Sequence, residues 1–282
     1  MAHFNLRGQS IGPIDGVLFD KDGTLSHSEP QLKTLADARI EEAKRQFSAQ
    51  GASSEDIDEL EALLVRTYGR NQDGVLPDGP LAVASRQHNI LSTATVFAQM
   101  GLGWPKALLM AEDVFDCVDV QWQAKHPNGH PVSMLPAAST MLRSLREAGV
   151  ICAVISNDTT DGIQAFLRHH NLTDMFAAVW SADCWPCKPD PAAVHALCSQ
   201  LNLSVDRCAL IGDADTDLLM AKRAGIGAAI GYVAGWHRSP DLTAHDHLIH
   251  HWQDLTVEKP SIRTTMTQEL HALQSDEFDS PV

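Results

Sequence analysis

Short apolar runs and helical-period stripes alternate along the second half of the chain. Residues 14–20, 150–155, 177–180, 208–211 and 228–230 form apolar runs of strand length. Between them, residues 137–148, 161–170, 191–201 and 216–224 carry helical patterns, and Gly149 follows the first as a terminator. Strands alternating with helices of this length predict an α/β fold with a doubly wound parallel sheet covered on both faces.

Residues 27–132 break the alternation. Leu32, Leu35, Ala36, Ile40, Ala43 and Phe47 recur at helical spacing, as do Ile57, Leu60, Leu63 and Leu64. A third stripe, Ala107, Leu108, Ala111, Val114, Phe115 and Val118, starts behind Pro105 at a first-turn position. Such stripes pack helix on helix. The expected organisation is a sheet domain of residues 1–26 and 133–258, a helical domain of residues 27–132 inserted after the first strand, and a polar tail of residues 259–282. The turn-forming stretch 126–131 (HPNGHP) reads as the return hinge.

Composition narrows the function. Of 282 residues, 36 are Asp or Glu against 21 Lys or Arg, a formal charge of −15, which speaks against nucleic acid or an anionic membrane as partner. No segment supplies the ~20 apolar residues of a transmembrane helix, and no secretory signal opens the chain. Six cysteines are too sparse for a disulfide framework. These features point to a soluble, cytoplasmic protein whose oligomeric state the sequence leaves open.

The chemistry gathers where strands end. Asp20-Lys21-Asp22-Gly23-Thr24 closes the first strand, and Gly212-Asp213-Ala214-Asp215-Thr216-Asp217 closes the fourth. Open parallel sheets bring such ends to one place. Two acidic clusters there repel each other, a conflict that a divalent cation resolves, and oxygen-only donors point to Mg²⁺. Asp20 and Asp22 can act as a nucleophile or metal ligand and a proton donor, and Thr24 offers a hydroxyl and an N–H to an anion. Ser156-Asn157-Asp158 after the second strand, and Lys188-Pro189-Asp190-Pro191 before a helix, complete the pattern.

In this order the four motifs resemble those of the haloacid dehalogenase (HAD) superfamily, over about residues 10–26 and 133–255. The match is best to members with an α-helical cap after the first motif, phosphoglycolate phosphatase-like and β-phosphoglucomutase-like. The resemblance implies a Rossmann-like core and a phosphatase acting on a small phosphorylated metabolite. It implies that Asp20 attacks phosphorus to form an aspartyl-phosphate, and that Asp22 serves as general acid and then base, its pKa raised for the first role with the help of the incoming phosphate's negative charge. Thr24, Ser156, Asn157 and Lys188 would hold the phosphoryl group. Mg²⁺ would rest on Asp20, the Asp22 carbonyl, Asp213 and Asp217, with Asp215 outside the set. A phosphomutase of the β-phosphoglucomutase type and a non-catalytic HAD-like binding module are the alternatives.

In such a cap, Arg70 within the turn-rich stretch Tyr68–Gly74 is the expected reader of the leaving group, with Arg86 a weaker candidate. Three features are read as structural. Cys184 and Cys187 are loop-packing thiols with a possible redox role beside Lys188, and the histidines at 169, 170, 245, 247, 250 and 251 are surface residues. Residues 225–231 imitate a dinucleotide fingerprint, but follow a helix and so read as a helix cap entering a strand.

Overall fold

The computed structural model describes residues 2–126 and 132–259. The chain opens with an antiparallel hairpin, β1 (Ala2–Leu6) and β2 (Gln9–Ile14). Its two-residue turn, Arg7-Gly8, has positive φ at both positions, the conformation whose twist matches the flanking strands. Next comes β3 (Gly16–Phe19), buried throughout, and the two-residue β4 (Ser26–His27).

Five helices follow: α1 (Glu29–Ser48), α2 (Ser54–Tyr68), α3 (Pro80–Val83), α4 (Arg86–Gln99) and α5 (Trp104–Lys125). Ser53 and Asp56 form a reciprocal capping box at the start of α2, and Gly69 ends it in the left-handed conformation. These helices share an apolar core of their own, including Ile40, Phe47, Leu60, Leu64, Ile90, Phe97, Val114 and Phe115. The expected stripes on α1, α2 and α5 thus supply most of that core. Helix α4 completes it, although its Ser, Thr and Asn content hides the apolar face formed by Ile90, Ala94 and Phe97.

After β5 (Ser133–Met134), which pairs with β4, the alternation resumes. It runs through α6 (Ala138–Glu147), β6 (Ile151–Ile155), α7 (Thr160–His169), β7 (Ala178–Trp180), α8 (Pro191–Gln200), β8 (Cys208–Gly212), α9 (Asp215–Ala224) and β9 (Ala228–Tyr232). Strands β10 (His247–Ile249) and β11 (Leu255–Glu258) close the described chain. Six strands form one sheet in the order β10-β9-β8-β3-β6-β7, every pairing parallel. This is the expected doubly wound architecture.

Strand periodicity divides the sheet between two cores. Val17, Phe19, Val154 and Ile211 face one cluster with Leu142, Leu145, Ile163 and Leu167 of α6 and α7. Leu18, Ala153, Ile155 and Leu210 face the other with Val194, Leu197, Leu218 and Ala221 of α8 and α9. Successive strand residues point to opposite faces, so a strand covered on both sides must be apolar throughout. Gly225 caps α9 in the left-handed conformation and leads into β9, as read for the stretch 225–231.

One element is not expected from the sequence. Strands β11, β1 and β2 form a separate antiparallel sheet that pairs His3 with Glu258 and Leu6 with Leu255. Its strands are short, and β2 carries both Gly12 and Pro13, so no local alternation announces them. The expected hinge lies at His126 and in residues 127–131, the latter outside the described residues, as is nearly all of the tail.

Candidate active site

Strand register brings the motifs together. Phe19 stands opposite Val154 on one side and Ile211 on the other, so the residues after β3, β6 and β8 emerge at one sheet edge. The Asp20 N–H donates to the Ile211 carbonyl at 2.9 Å, extending the ladder as far as the first acid. Asp20, Asp22, Ser156, Asn157, Lys188, Asp213 and Asp217 line a single cavity of about 390 Å³ at that edge.

Lys188 is the central cation. Its Nζ donates to Asp20 Oδ1 at 2.7 Å and to the Ile155 carbonyl at 3.3 Å, and lies 2.9 Å from Asp217 Oδ1. Burial favours the neutral amine, but Asp20 and Asp217 outweigh it and hold Lys188 above its ordinary value. Asp20 is pushed the other way. Burial drives its pKa up, Lys188 pulls it back, and Asp217 and Asp22 push again, leaving it at about 7.

Asp213 is oriented by two donors. The Thr24 hydroxyl reaches Oδ1 at 2.9 Å and the Trp236 indole N–H reaches Oδ2 at 2.5 Å. Burial, with Asp20 and Asp217 adding to it, still raises its pKa well above the carboxylate range. Asp20, Asp213 and Asp217 each offer a carboxylate oxygen within 4.8 Å of the others, all three buried. Three crowded carboxylates, two of them sharing Lys188, are under-compensated, and a hard divalent cation fits such an all-oxygen set.

Several assignments change with the geometry. The Asp22 carboxylate accepts from Lys21 Nζ at 2.6 Å, from Ser26 Oγ at 3.2 Å and from Ser28 Oγ. Burial raises its pKa, but Lys21 and the two serines outweigh it and hold the group below its ordinary value. The upward shift expected with an incoming phosphate therefore starts from a carboxylate held down by Lys21 and the two serines. Lys21 itself, buried between Asp22 and Asp158 at 3.1 Å from the latter, was not legible as a site residue. Its alternation with the two acids in DKDGT is the signal that it lies beside them. Thr24 is fully buried, and its hydroxyl, expected on an anion, is instead given to Asp213.

Arg70 is a second correction. Its guanidinium pairs with Asp37 at 2.8 Å and lines a different pocket, with Ile40, Val65 and Asn71. The cavity around Asp20 is instead reached from the helices by Arg39 and Arg86. Arg86 donates to Asp119 at 2.8 Å, and Arg39 lies 3.9 Å from Asp119 with its guanidinium 4.0 Å above the Phe115 ring. Among the described residues Arg39 Nε has no hydrogen-bond partner although it is buried. Burial holds the group below its ordinary value, with Arg86 adding to the effect. Helical spacing marks position 39 as partly inward, next to Ile40, but an Arg on an apolar helix is normally read as a solvated face.

The other residues singled out lie as follows. Cys184 and Cys187 are free, and the Cys184 thiol contacts the Ser181 hydroxyl at 3.7 Å. His170 pairs with the Val132 carbonyl and His245 with the Leu242 carbonyl. Among the described residues Asp20, Asp213 and Asp217 are the group able to hold a metal. No described helix is long and apolar enough to cross a membrane.

Comparison with known proteins agrees with this arrangement. Residues 14–225 match the family described as haloacid dehalogenase-like hydrolase. A phosphoglycolate phosphatase of Vibrio cholerae serotype O1 is 29% identical over 238 residues, covering 82% of this chain and 92% of its own. One from Cereibacter sphaeroides is 28% identical over 245 residues, covering 84% and 94%. The crystal structure of a predicted phosphoglycolate phosphatase from Haemophilus somnus superposes with a TM-score of 0.60 at 20% identity, over 86% of this chain and 96% of its own. With its core motifs gathered at one sheet edge and that family spanning most of its length, the chain belongs to the haloacid dehalogenase-like hydrolases and is an enzyme of their phosphatase type.

Proposed function

We propose that the protein is a Mg²⁺-dependent phosphatase of a small phosphorylated metabolite, working through an aspartyl-phosphate. The observation that carries this reading is the shared cavity, where Asp22, Ser156 and Lys188 meet the acidic trio of Asp20, Asp213 and Asp217. Asp20 attacks phosphorus with a carboxylate oxygen, forming an acyl phosphate as the ester P–O bond breaks. Asp22 gives its proton to the departing alkoxide. It then takes a proton from the water that attacks phosphorus and frees Asp20. The charge of an incoming phosphate favours protonation of Asp22 against the hold of Lys21. Ser156 and Asn157 bind phosphoryl oxygens, and Lys188 offsets their charge while holding Asp20 in line. Asp20, Asp213, Asp217 and the Asp22 carbonyl would hold Mg²⁺, which supplies charge neutralisation and polarisation of the phosphoryl group.

The helices of residues 27–132 act in this reading as a cap that excludes water and selects the leaving group. Arg39 and Arg86, two guanidiniums on the cavity wall with Asp119 between them, favour a leaving group bearing a carboxylate. Phosphoglycolate, the substrate named for the relatives, has that chemistry. A cytoplasmic location and no nucleic-acid or membrane partner accompany the reading.

Phosphate release from a panel of carboxylated and neutral phosphate esters, with Mg²⁺ or with chelator, tests it. Release from carboxylated esters that needs the metal and vanishes in Asp20→Asn is expected. Release that ignores Asp20→Asn overturns the nucleophile, release that survives chelation overturns the metal, and equal rates on both ester classes overturn the leaving-group assignment.

A further inference from the structure

Trp236 follows β9 on the sheet side of the molecule, yet its ring is buried in the apolar core of the helical insert. From there its indole N–H donates to Asp213 Oδ2. The surrounding backbone is shaped to allow it. A Cβ on Gly235 would stand 1.7 Å from the Gly23 carbonyl oxygen, and a Cβ on Gly23 would stand 2.3 Å from Trp236 Nε1 and 2.2 Å from Asp213 Oδ2. Only glycine at both positions lets the two loops approach closely enough for the indole to reach the acid.

The neighbouring residues pin the same loop to the start of the insert. Glu29, at the first turn of α1, accepts from the His237 N–H at 2.7 Å and from the Val75 N–H at 3.2 Å. His27 Nδ1 lies 3.4 Å from the Gly235 carbonyl oxygen. The loop carrying Trp236 is therefore attached to the insert by its ring and its backbone, and to the sheet side by its N–H.

We propose that Trp236 is a positioning residue: its N–H fixes the Asp213 carboxylate for cation binding, and its ring makes that fixation depend on the helical insert. With Oδ1 held by Thr24 and Oδ2 by Trp236, the carboxylate cannot rotate about its side-chain bond, and each oxygen keeps a lone pair for a ligand. Withdrawal of the ring with the insert would remove one of the two donors and free the carboxylate to turn. Cation affinity and insert position are then linked, each affecting the other by the same factor. The inference rests on the metal reading of the acidic trio proposed above.

Mn²⁺ binding to the full-length protein, followed by calorimetry and by the EPR signal of free Mn²⁺, tests the proposal. Trp236→Phe keeps the ring and deletes the donor. Its expected effect is about a 10- to 100-fold rise in the Mn²⁺ dissociation constant. Gly235→Ala, which keeps the indole but drives the loops apart, is expected to weaken binding in the same direction and serves if the Phe variant does not fold. In the wild-type protein, one of the six indole N–H resonances, identified by its loss in Trp236→Phe, is expected to move when diamagnetic Mg²⁺ is added. Equal Mn²⁺ constants in wild type and variant, or an indole resonance unmoved by Mg²⁺, overturn the role of Trp236. Absence of Mn²⁺ binding to the wild-type protein overturns the metal reading itself, and this inference with it.

Discussion

Lys188 and Asp20 meet at 2.7 Å although 168 positions separate them in the chain. The contact ties the loop before α8 to the end of β3, and the same ammonium lies 2.9 Å from Asp217 at the start of α9.

Replacing Lys188 therefore affects chemistry and stability together. Lys188→Met leaves Asp20 and Asp217 buried without their shared cation, and breaking a buried pair costs about 3–5 kcal/mol. A denaturant midpoint lowered to match, together with kcat reduced by about 10²–10³, is the expected result. Lys188→Arg is expected to restore little of the activity, because a planar fork does not reproduce a compact ammonium in a closed site. Full activity in Lys188→Met would remove Lys188 from the mechanism.

Metal binding is expected to stabilise the fold by relieving the repulsion among Asp20, Asp213 and Asp217. At a hundredfold excess over the dissociation constant the linkage contributes about 2.7 kcal/mol, read as a higher melting temperature in Mg²⁺ than in chelator. Asp213→Asn is expected to lose that Mg²⁺ response while its metal-free melting temperature stays level or rises, because one repelling charge is gone. A variant that keeps the full response shows that Asp213 is not a ligand.

Three arginines of the helical insert, Arg39, Arg70 and Arg86, are expected to separate by phenotype. Arg70→Ala breaks a pair with a half-exposed Asp37, costing about 0.2–1 kcal/mol, and leaves KM within twofold. Arg86→Ala and Arg39→Met are expected to raise KM for a carboxylated phosphate ester at least about tenfold, with a smaller change for a neutral ester. Steady-state kinetics on the two esters decide it. A KM effect confined to Arg70 would return the specificity role to that residue.

Asp254 gives the small three-stranded sheet an acid-sensitive anchor. Its carboxylate accepts from the His250 N–H at 2.9 Å and from Arg7 at 3.1 Å. Burial raises its pKa, but Arg7 and the backbone donors outweigh it and leave the group below its ordinary value. A depressed carboxylate stabilises the fold above its unfolded pKa of about 3.9, and that contribution disappears as the pH falls through the lower folded value. Asp254→Asn is expected to cost about 1 kcal/mol at neutral pH and to converge with wild type in acid. Melting curves between pH 7 and the acid range test it, and a constant difference down the series would contradict the assignment.

By itself, the sequence determined what local patterns can carry. Apolar runs bounded by acids located the central strands, because a strand covered on both faces admits no polar residue, as Val17, Leu18 and Phe19 illustrate. The order of DKDGT, Ser156, Lys188 and GDADTD was legible for the same reason, since strand ends of a parallel sheet converge whatever lies between them. Tertiary structure alone decided the pairings that span the chain. The sheet joining β1 to β11 depends on contacts between residues 3 and 258, and neither segment has enough local pattern to announce it. Arg70 and Arg39 are both arginines on the insert, and only tertiary packing, of α1 against α5 for Arg39 and of α2 against α1 for Arg70, turns one toward the Asp20 cavity and leaves the other on Asp37. Trp236 looks like one more apolar residue in a glycine-containing loop. Its hold on Asp213 exists because two backbones approach at Gly23 and Gly235, a distance no spacing along the sequence encodes.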